Sequence, residues 1–317
     1  MTASPKEKRR SSSKGDLVLK TVVGAAAVGV VALLVGLGVE LAYNSRLSIS
    51  TFGLSFVFGS TWAPIHNVYN AFPFLVGTLI TSGIGLLLGL PMGLGIAIFL
   101  SENRRGGRAI RTTLGSLVEL LAAVPSVIYG LWGLIVLVPV MQHYVEPALK
   151  AGLGFLPIFY GTPLGTDLLT AGVILAIMII PTISAVSRDV LNAVPNSQRE
   201  AMYSLGATDW EVIRKSVLPY ARSGIFGATI LGLGRAVGET MAVTFVVGNN
   251  TNLPLSLLSP GYTLTSLIVN QLGTTTDPLA ESALVEVSLL LFVLALVINF
   301  LARTLVWRMT RGTKFRV

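Results

Sequence analysis

Two charged side chains, Arg235 and Glu239, stand in the apolar stretch LGRAVGETMAV at residues 233–243. On a helix they would lie one turn apart on the same face, so their side chains could pair. A charge at the centre of a membrane costs at least about 2.5–3.5 kcal/mol, and such residues nearly always face a bundle interior or a water-filled path. Two interpretations are open. The residues are either an ion pair that fixes the helix to its neighbours, or part of a pathway for an anion.

The anion pathway would use the planar guanidinium group of Arg235, which matches the oxygens of phosphate or carboxylate. Glu239 would weaken that attraction and accept a hydrogen bond from a protonated oxyanion. Hydrogen phosphate carries such a proton at neutral pH and sulfate does not, so Glu239 predicts a preference for phosphate over sulfate. Thr240 and Thr244 lie near the same face and would add hydroxyl groups to the pathway.

The composition indicates an integral membrane protein. Of the 317 residues, 52% are hydrophobic and 12% are charged, whereas about a quarter of the residues of a soluble domain are charged. The absence of cysteine excludes disulfides and thiolate metal sites. His66 and His143 are far apart and are expected in loops, so we predict no metal site.

Six segments are long enough to cross a bilayer, which takes about 20 apolar residues. The predicted spans are 17–42, 72–100, 112–141, 168–188, 219–248 and 281–307. Pro91, Pro125 and Pro181 fall inside spans and predict kinks, because proline removes a backbone hydrogen bond. The sequence therefore predicts an all-α bundle of six transmembrane helices over residues 17–317, preceded by a tail at residues 1–16.

The basic residues predict the orientation of the bundle. Of the 23 lysines and arginines, 20 fall in the N-terminal segment up to Lys20, in or beside the loops after the second and fourth spans, or at the C-terminus. These four segments lie on one side of the membrane, and the opposite loops hold only Arg46 and Lys150. The positive-inside rule then places both termini in the cytoplasm. The net charge of +8 thus reflects topology and contact with anionic lipid, and nucleic acid is not an expected partner.

The loop between the fourth and fifth spans, residues 195–222, carries signals for two short helices. Two capping boxes mark the helix starts: Ser197 with Glu200, and Thr208 with Glu211. Gly206 between them supplies the left-handed residue that ends a helix, and the second helix is expected to end before Pro219. A DNA-binding helix-turn-helix has this outline, but between two spans it could not reach a groove. An amphipathic connector or a docking element for a cytoplasmic partner remains.

Motifs of common catalysts are absent from the sequence. A P-loop requires a Gly-Lys pair, which occurs nowhere in the chain. Neither the HExxH motif of metalloproteases nor the GxSxG nucleophile elbow is present. We therefore expect a transport subunit and not an enzyme, with any ATP hydrolysis supplied by another chain.

Two further acidic residues lie within predicted spans. Glu119 lies about 12 Å along the helix from Arg111, and we expect it to pair with an arginine on the cytoplasmic side, with a place at a gate as the alternative. Glu286 lies in the first turns of the last span. We expect its side chain to snorkel to the membrane surface.

The loop resembles the "EAA" loop of permease subunits of bacterial ABC importers. The matching positions are Glu200, Ala201, Gly206, Leu218 and Pro219, while Met202 and Ser216 depart from the pattern. Three segments, GRAVGETMAVTFVVGN, ELLAAVPSVIYGLWGL and IPTISAVSRDVLNAVP, resemble the permease subunit of the phosphate-specific ABC importer. The resemblance implies a type I ABC importer permease fold in which residues 196–216 form a coupling loop seated on an ATPase subunit.

The same resemblance implies partners and a location. The partners would be a sister permease subunit in a heterodimer, two copies of an ABC ATPase that bind ATP and Mg, and an extracytoplasmic phosphate-binding protein. This chain would hold no cofactor and would lie in the bacterial inner membrane. Three alternatives remain open: a permease for sulfate or molybdate, an ion-coupled anion transporter or channel without an ATPase, and a membrane scaffold or sensor.

Overall fold

The computed structural model describes residues 14–102 and 107–311. The predicted tail at residues 1–16 lies outside this part, apart from its last three residues, which already belong to the first helix. The α-helices are α1 Lys14–Asn44, α2 Arg46–Phe52, α3 Ser55–Phe58, α4 Phe72–Glu102, α5 Arg108–Ala123, α6 Ser126–Trp132, α7 Val138–Val140, α8 Glu146–Leu153, α9 Leu168–Asn192, α10 Asn196–Ser204, α11 Asp209–Val212, α12 Leu218–Gly238, α13 Met241–Val246, α14 Leu264–Gln271 and α15 Pro278–Arg311.

Short elements connect or interrupt these helices. The strands β1 Trp62–Ala63 and β2 Val68–Tyr69 form an antiparallel hairpin. Single 3₁₀ turns lie at Pro64–His66 and Pro157–Phe159, and π turns lie at Gly133–Leu137, Met141–Val145 and Ile213–Val217. The end of the bundle that carries the hairpin is called the hairpin end below. The opposite end, which carries residues 193–217, is called the basic end.

Five helices in the described part are long and apolar enough to cross a membrane: Gly15–Asn44, Phe72–Glu102, Ser126–Leu153, Leu168–Asn192 and Pro278–Arg308. The prediction of an all-α membrane bundle is confirmed. The predicted spans 17–42, 72–100, 168–188 and 281–307 each fall on one of these helices. The predicted spans 112–141 and 219–248 do not match the helices that the structure contains.

The third predicted span is misplaced because the chain breaks at Pro125. The structure ends α5 at Ala123 and begins the spanning helix at Ser126. Val124 is extended (φ −67°, ψ 129°), because the ring of the following proline disfavours the helical conformation. Proline therefore separates two helices here instead of kinking one. The spanning helix continues through two π turns to Leu153, so His143 lies in a helix and not in a loop.

The fifth predicted span differs at both ends. The helix of α11 continues through the π turn Ile213–Val217 into α12 with helical backbone angles throughout, so the prediction that it ends before Pro219 is wrong. The proline ring needs space, and proline has no N–H to donate. The wider π turn just ahead of Pro219 provides the space and accommodates the lost hydrogen bond. The helix then ends at Gly238, well before the predicted limit.

The core is centred on α9, which packs closely against α4 and α12. A Cβ atom on Gly85 of α4 would lie 2.9 Å from the Cβ of Leu175. A Cβ atom on Gly232 of α12 would lie 2.8 Å from Cγ1 of Ile183. Small residues thus allow the three backbones to approach closely, as is usual between membrane helices. This packing places Arg235, near the end of α12, beside α9.

Candidate functional site

The backbone break after α12 is the central feature of the site. Glu239 is extended (φ −70°, ψ 132°), and α13 starts only at Met241. Three hydroxyl groups donate hydrogen bonds to carbonyl oxygens around the break: Thr240 Oγ1 to Gly238 (3.3 Å), Thr244 Oγ1 to Thr240 (2.7 Å) and Thr265 Oγ1 to Glu239 (2.7 Å). Irregular backbone at membrane depth is tolerated where it is buried in protein or lines a water-filled cavity.

Arg235 lies one turn before this break and is partly exposed. Its Nη1 donates a hydrogen bond of 3.1 Å to Thr182 Oγ1 of α9. Among the described residues, no carboxylate lies within 4.0 Å of its guanidinium group. The ion pair with Glu239, one of the two open interpretations, is therefore not formed. The helical register that would bring the two side chains together ends at Gly238.

Glu239 lies where α12, α13 and α14 meet. Its Oε1 accepts a long hydrogen bond of 3.4 Å from the backbone N–H of Ala242, and its carbonyl oxygen accepts the hydroxyl of Thr265. The structure thus brings Arg235, Glu239, Thr240 and Thr244 to one break without joining the two charges. Thr182 and Thr265 were not predicted as members of the site. The only sequence feature that could have identified them is a hydroxyl group within or beside an apolar segment.

The loop at the basic end folds largely as its sequence predicts. Gly206 is left-handed (φ 79°), and Thr208 and Glu211 form the predicted capping box. The backbone N–H of Thr208, followed by the ammonium group of Lys215, lowers the pKa of Glu211 to about 2. The other predicted capping box is wrong. Because α10 begins directly after the extended Pro195, Ser197 lies inside the helix, and no side chain caps its start.

The predicted coupling residues line an exposed surface. Glu200, Ala201 and Gly206 are exposed, and Leu218 is partly buried. A groove of about 320 Å³ between α10 and α12 includes Ala201 and Pro219 in its lining. The apolar side chains of Leu205 and Trp210 add to this surface, with 83% and 59% of their area exposed. Exposed apolar side chains are typical of a surface that contacts a partner.

Arg199 joins this loop to the membrane helices through a buried ion pair. It binds the last residue of α4 twice, with 3.1 Å between its Nε and Glu102 Oε2 and 2.7 Å between its Nη2 and Glu102 Oε1. It also donates to the carbonyl oxygens of Leu191 (2.9 Å) and Val194 (2.6 Å) at the end of α9. Both charged side chains are less than 10% exposed. In the sequence, Arg199 is visible only as one of the basic residues that predict the orientation of the bundle.

Glu119 and Glu286, the two other acidic residues within predicted spans, lie in different environments. Glu119 accepts a hydrogen bond of 3.1 Å from Arg188, so the predicted pairing with an arginine is confirmed. The prediction for Glu286 is wrong, because its side chain is buried near Ser48 instead of reaching the membrane surface. α2, which folds back against α15, covers a position that the sequence alone leaves at the surface.

Comparisons with known proteins agree with this architecture. The family described as "Binding-protein-dependent transport system inner membrane component" matches residues 85–311. The "Phosphate transport system permease protein PstC" of Xylella fastidiosa (strain Temecula1) is 42% identical over 314 residues, which cover 98% of this chain and 96% of the relative. The protein of the same name from Pasteurella multocida (strain Pm70) is 44% identical over 300 residues, 93% of each chain.

A solved structure supports the fold independently. It is the "bacterial alginate ABC transporter in complex with alginate pentasaccharide-bound periplasmic protein", in which one chain superposes with a TM-score of 0.62. The alignment covers 95% of this chain and 99% of that chain at 16% identity, so the likeness concerns the fold alone. The predicted type I ABC importer permease fold is confirmed.

Proposed function

Because this chain belongs to the family of binding-protein-dependent transport system inner membrane components, and within it to the phosphate transport system permease proteins, we propose that it is the permease subunit of an ABC importer that moves inorganic phosphate into the cytoplasm. The chain is a multi-pass membrane protein. In this proposal both termini lie in the cytoplasm of a bacterium, and the basic end faces the cytoplasm.

The observation that carries the proposal is the unneutralised charge of Arg235. Its only side-chain partner among the described residues is the neutral hydroxyl of Thr182, and its guanidinium group is partly exposed beside the broken helix. A phosphate anion would neutralise this charge and accept two parallel hydrogen bonds from it. Glu239, at the break itself, would accept a hydrogen bond from hydrogen phosphate and repel sulfate, which has no proton to donate.

The energy for transport would come from partner chains. We infer that residues 196–216, with Glu200, Ala201 and Gly206 exposed and Leu218 and Pro219 at the start of α12, form the contact with an ATPase subunit. ATP and Mg would bind there and not to this chain. The full importer would comprise a sister permease subunit, two ATPase copies and an extracytoplasmic phosphate-binding protein.

Uptake of labelled phosphate tests the substrate. Cells that lack this chain are compared with cells in which it is restored, in the presence of excess unlabelled sulfate. The proposal expects restored uptake that is insensitive to sulfate. Failure to restore uptake, or uptake that sulfate abolishes, would contradict phosphate as the substrate and would favour another oxyanion.

Gly206→Val tests the coupling surface. Valine has a high cost at a positive φ, on the order of 1–2 kcal/mol or more, although a Cβ at Gly206 meets no atom within 4 Å. We expect roughly a tenfold loss of ATPase subunit that copurifies with the chain, since 1.4 kcal/mol is a factor of ten. Gly206→Asn tolerates the left-handed conformation and is the matched control. Equal copurification by the two variants would count against a role of this turn in docking.

A further inference from the structure

Two fully buried carboxyl groups lie together at the hairpin end, away from Arg235 and the coupling loop. Glu146 is the first residue of α8, within the helix Ser126–Leu153, and Asp167 directly precedes α9. Both residues are 0% exposed. They connect the spanning helix to the segment 154–167, which follows it and leads into α9.

The hydrogen bonds of the pair leave one oxygen of each carboxyl group without a partner. Glu146 Oε2 accepts from the backbone N–H of Gly165 (3.1 Å), and Asp167 Oδ1 accepts from the backbone N–H of Thr170 (2.8 Å). The remaining oxygens, Glu146 Oε1 and Asp167 Oδ2, are buried and have no hydrogen-bond partner among the described residues. A hydrogen bond between the two carboxyl groups would pair both of these oxygens. Such a bond exists only when one of them is protonated, because an ionised carboxylate has no donor.

No cation among the described residues nearby offsets the charge of the pair. On the helix Ser126–Leu153, the exposed His143 binds the carbonyl oxygen of Pro139, and the exposed Lys150 binds that of Gly161. The remaining titratable side chains on the surrounding elements are tyrosines: Tyr129, Tyr144, Tyr160 and Tyr262. The charged residues of α4 and α9 lie at the basic end. The charge that acts on Asp167 is that of Glu146.

The pair lies between the helix Ser126–Leu153 and a layer formed by residues 154–167 and 247–261. Gly165 (φ +75°) lies so close to the spanning helix that a Cβ there would be 2.5 Å from the carbonyl oxygen of Val138. Backbone hydrogen bonds join the segment 154–167 and the start of α9 to residues 247–261: Leu257 N to Ile158 O, Leu168 N to Ser259 O, and Leu169 N to Leu257 O. The two segments therefore form one layer at the hairpin end.

We propose that Glu146 and Asp167 form a proton-binding site that holds this layer against the helix Ser126–Leu153 while one proton is bound. Loss of the proton leaves two negative charges in contact, buried and without a counter-ion, and the layer then separates from the helix. The proposal concerns this site alone and does not depend on which anion the chain transports.

The expected pH dependence follows from the environment of Asp167. Burial raises the pKa of its carboxyl group to about 7, with the charge of Glu146 adding to the rise and the N–H of Thr170 opposing it. Once the layer separates, water reaches the group and its pKa falls toward the ordinary value. Attachment therefore binds a proton. It is complete at acidic pH, weakens as the pH rises above the ordinary pKa, and is lost as the pH passes through about 7.

Thiol labelling measures the separation directly, since the natural chain has no cysteine. Gln142→Cys places a thiol beneath Gly165, where a Cβ on the glycine would lie 3.0 Å from the Cβ of Gln142. Thr162→Cys is an exposed control that corrects for the pH dependence of thiol reactivity. The full-length chain, with the subunits that copurify with it, is placed in lipid nanodiscs and labelled with N-ethylmaleimide. Mass spectrometry then quantifies the labelled peptides of this chain.

We expect the ratio of thiol labelling in Gln142→Cys to thiol labelling in Thr162→Cys to rise about fivefold or more between about pH 5.5 and about pH 8.5. Asp167→Asn or Glu146→Gln is then added to each of the two cysteine variants. An amide N–H permanently replaces the shared proton, so the labelling ratio should stay low over the whole pH range. Asp277→Asn, at an exposed carboxyl group of the same end, should keep the rise. A flat ratio in the chain with both carboxyl groups, or an unchanged rise in the amide variants, would overturn the proposal.

Discussion

Replacing Arg235 with glutamine is expected to lower phosphate uptake at least about 100-fold while the chain still inserts and assembles. Hydrogen bonds to a charged group contribute about 1.5–3 kcal/mol each, and two of them are lost, so a factor of 100, about 2.7 kcal/mol, is a lower bound. Arg235→Lys keeps the charge but not the planar pair of donors, so its phosphate uptake should fall between that of the natural chain and that of Arg235→Gln. Uptake by proteoliposomes that contain the purified complex measures the effect.

The matched control is Arg188→Gln, because Arg188 is also an arginine on a long helix of the bundle. Its ion pair with Glu119 is 3.1 Å long, and Glu119 is 61% exposed. An exposed ion pair contributes about 0–1 kcal/mol, so uptake should change little. Undiminished transport by Arg235→Gln would show that the guanidinium group only stabilises the contact with Thr182.

Arg199→Gln is expected to have the second large effect, on stability and on coupling together. It leaves Glu102 buried without its partner, and breaking a buried ion pair costs about 3–5 kcal/mol. It also removes the donors to Leu191 and Val194, which tie α10 to the end of α9. We expect a lower melting temperature of the complex and fewer phosphate ions moved per ATP hydrolysed. The measurement is ATP hydrolysis and uptake in the same proteoliposomes.

A double variant separates the two roles of Arg199. Arg199→Gln with Glu102→Gln leaves no unpaired buried charge, so part of the lost stability should return. Coupling should stay poor, because a glutamine cannot span α4 and α9 at once. Arg188→Gln is again the control, since its ion pair with the exposed Glu119 lies outside residues 196–216. If coupling recovers together with stability, Arg199 has only a structural role.

The sequence predicts the helices whose apolar runs are uninterrupted. The spans at 72–100 and 168–188 fall on Phe72–Glu102 and Leu168–Asn192 because length and hydropathy alone determine a spanning helix. The turn at Gly206 and the capping box at Thr208 were predictable for a similar reason. Each depends on residues within one turn of the chain.

The site could be predicted only in part, because its decisive contacts join distant residues. Arg199 and Glu102 are 97 positions apart, and Arg235 and Thr182 are 53 apart. The break at Glu239 carries no strong local signal, since no proline stands there, and the hydroxyl of Thr265 that supports it comes from another helix. The sequence therefore identifies Arg235 and Glu239 as charges within an apolar segment but not the residues in contact with them.

The helix from Asp209 to Gly238 is continuous, so a tilt of the whole helix would move its two ends together. Arg235 lies 26 residues beyond Asp209, which is about 39 Å at a rise of about 1.5 Å per residue. A tilt of about 5° at the loop would swing the guanidinium group through about 3 Å, the length of one hydrogen bond. A small tilt at the basic end is therefore enough to move Arg235 from Thr182 to a different hydrogen-bond partner. The distance that the guanidinium group moves is set by the length of this one helix.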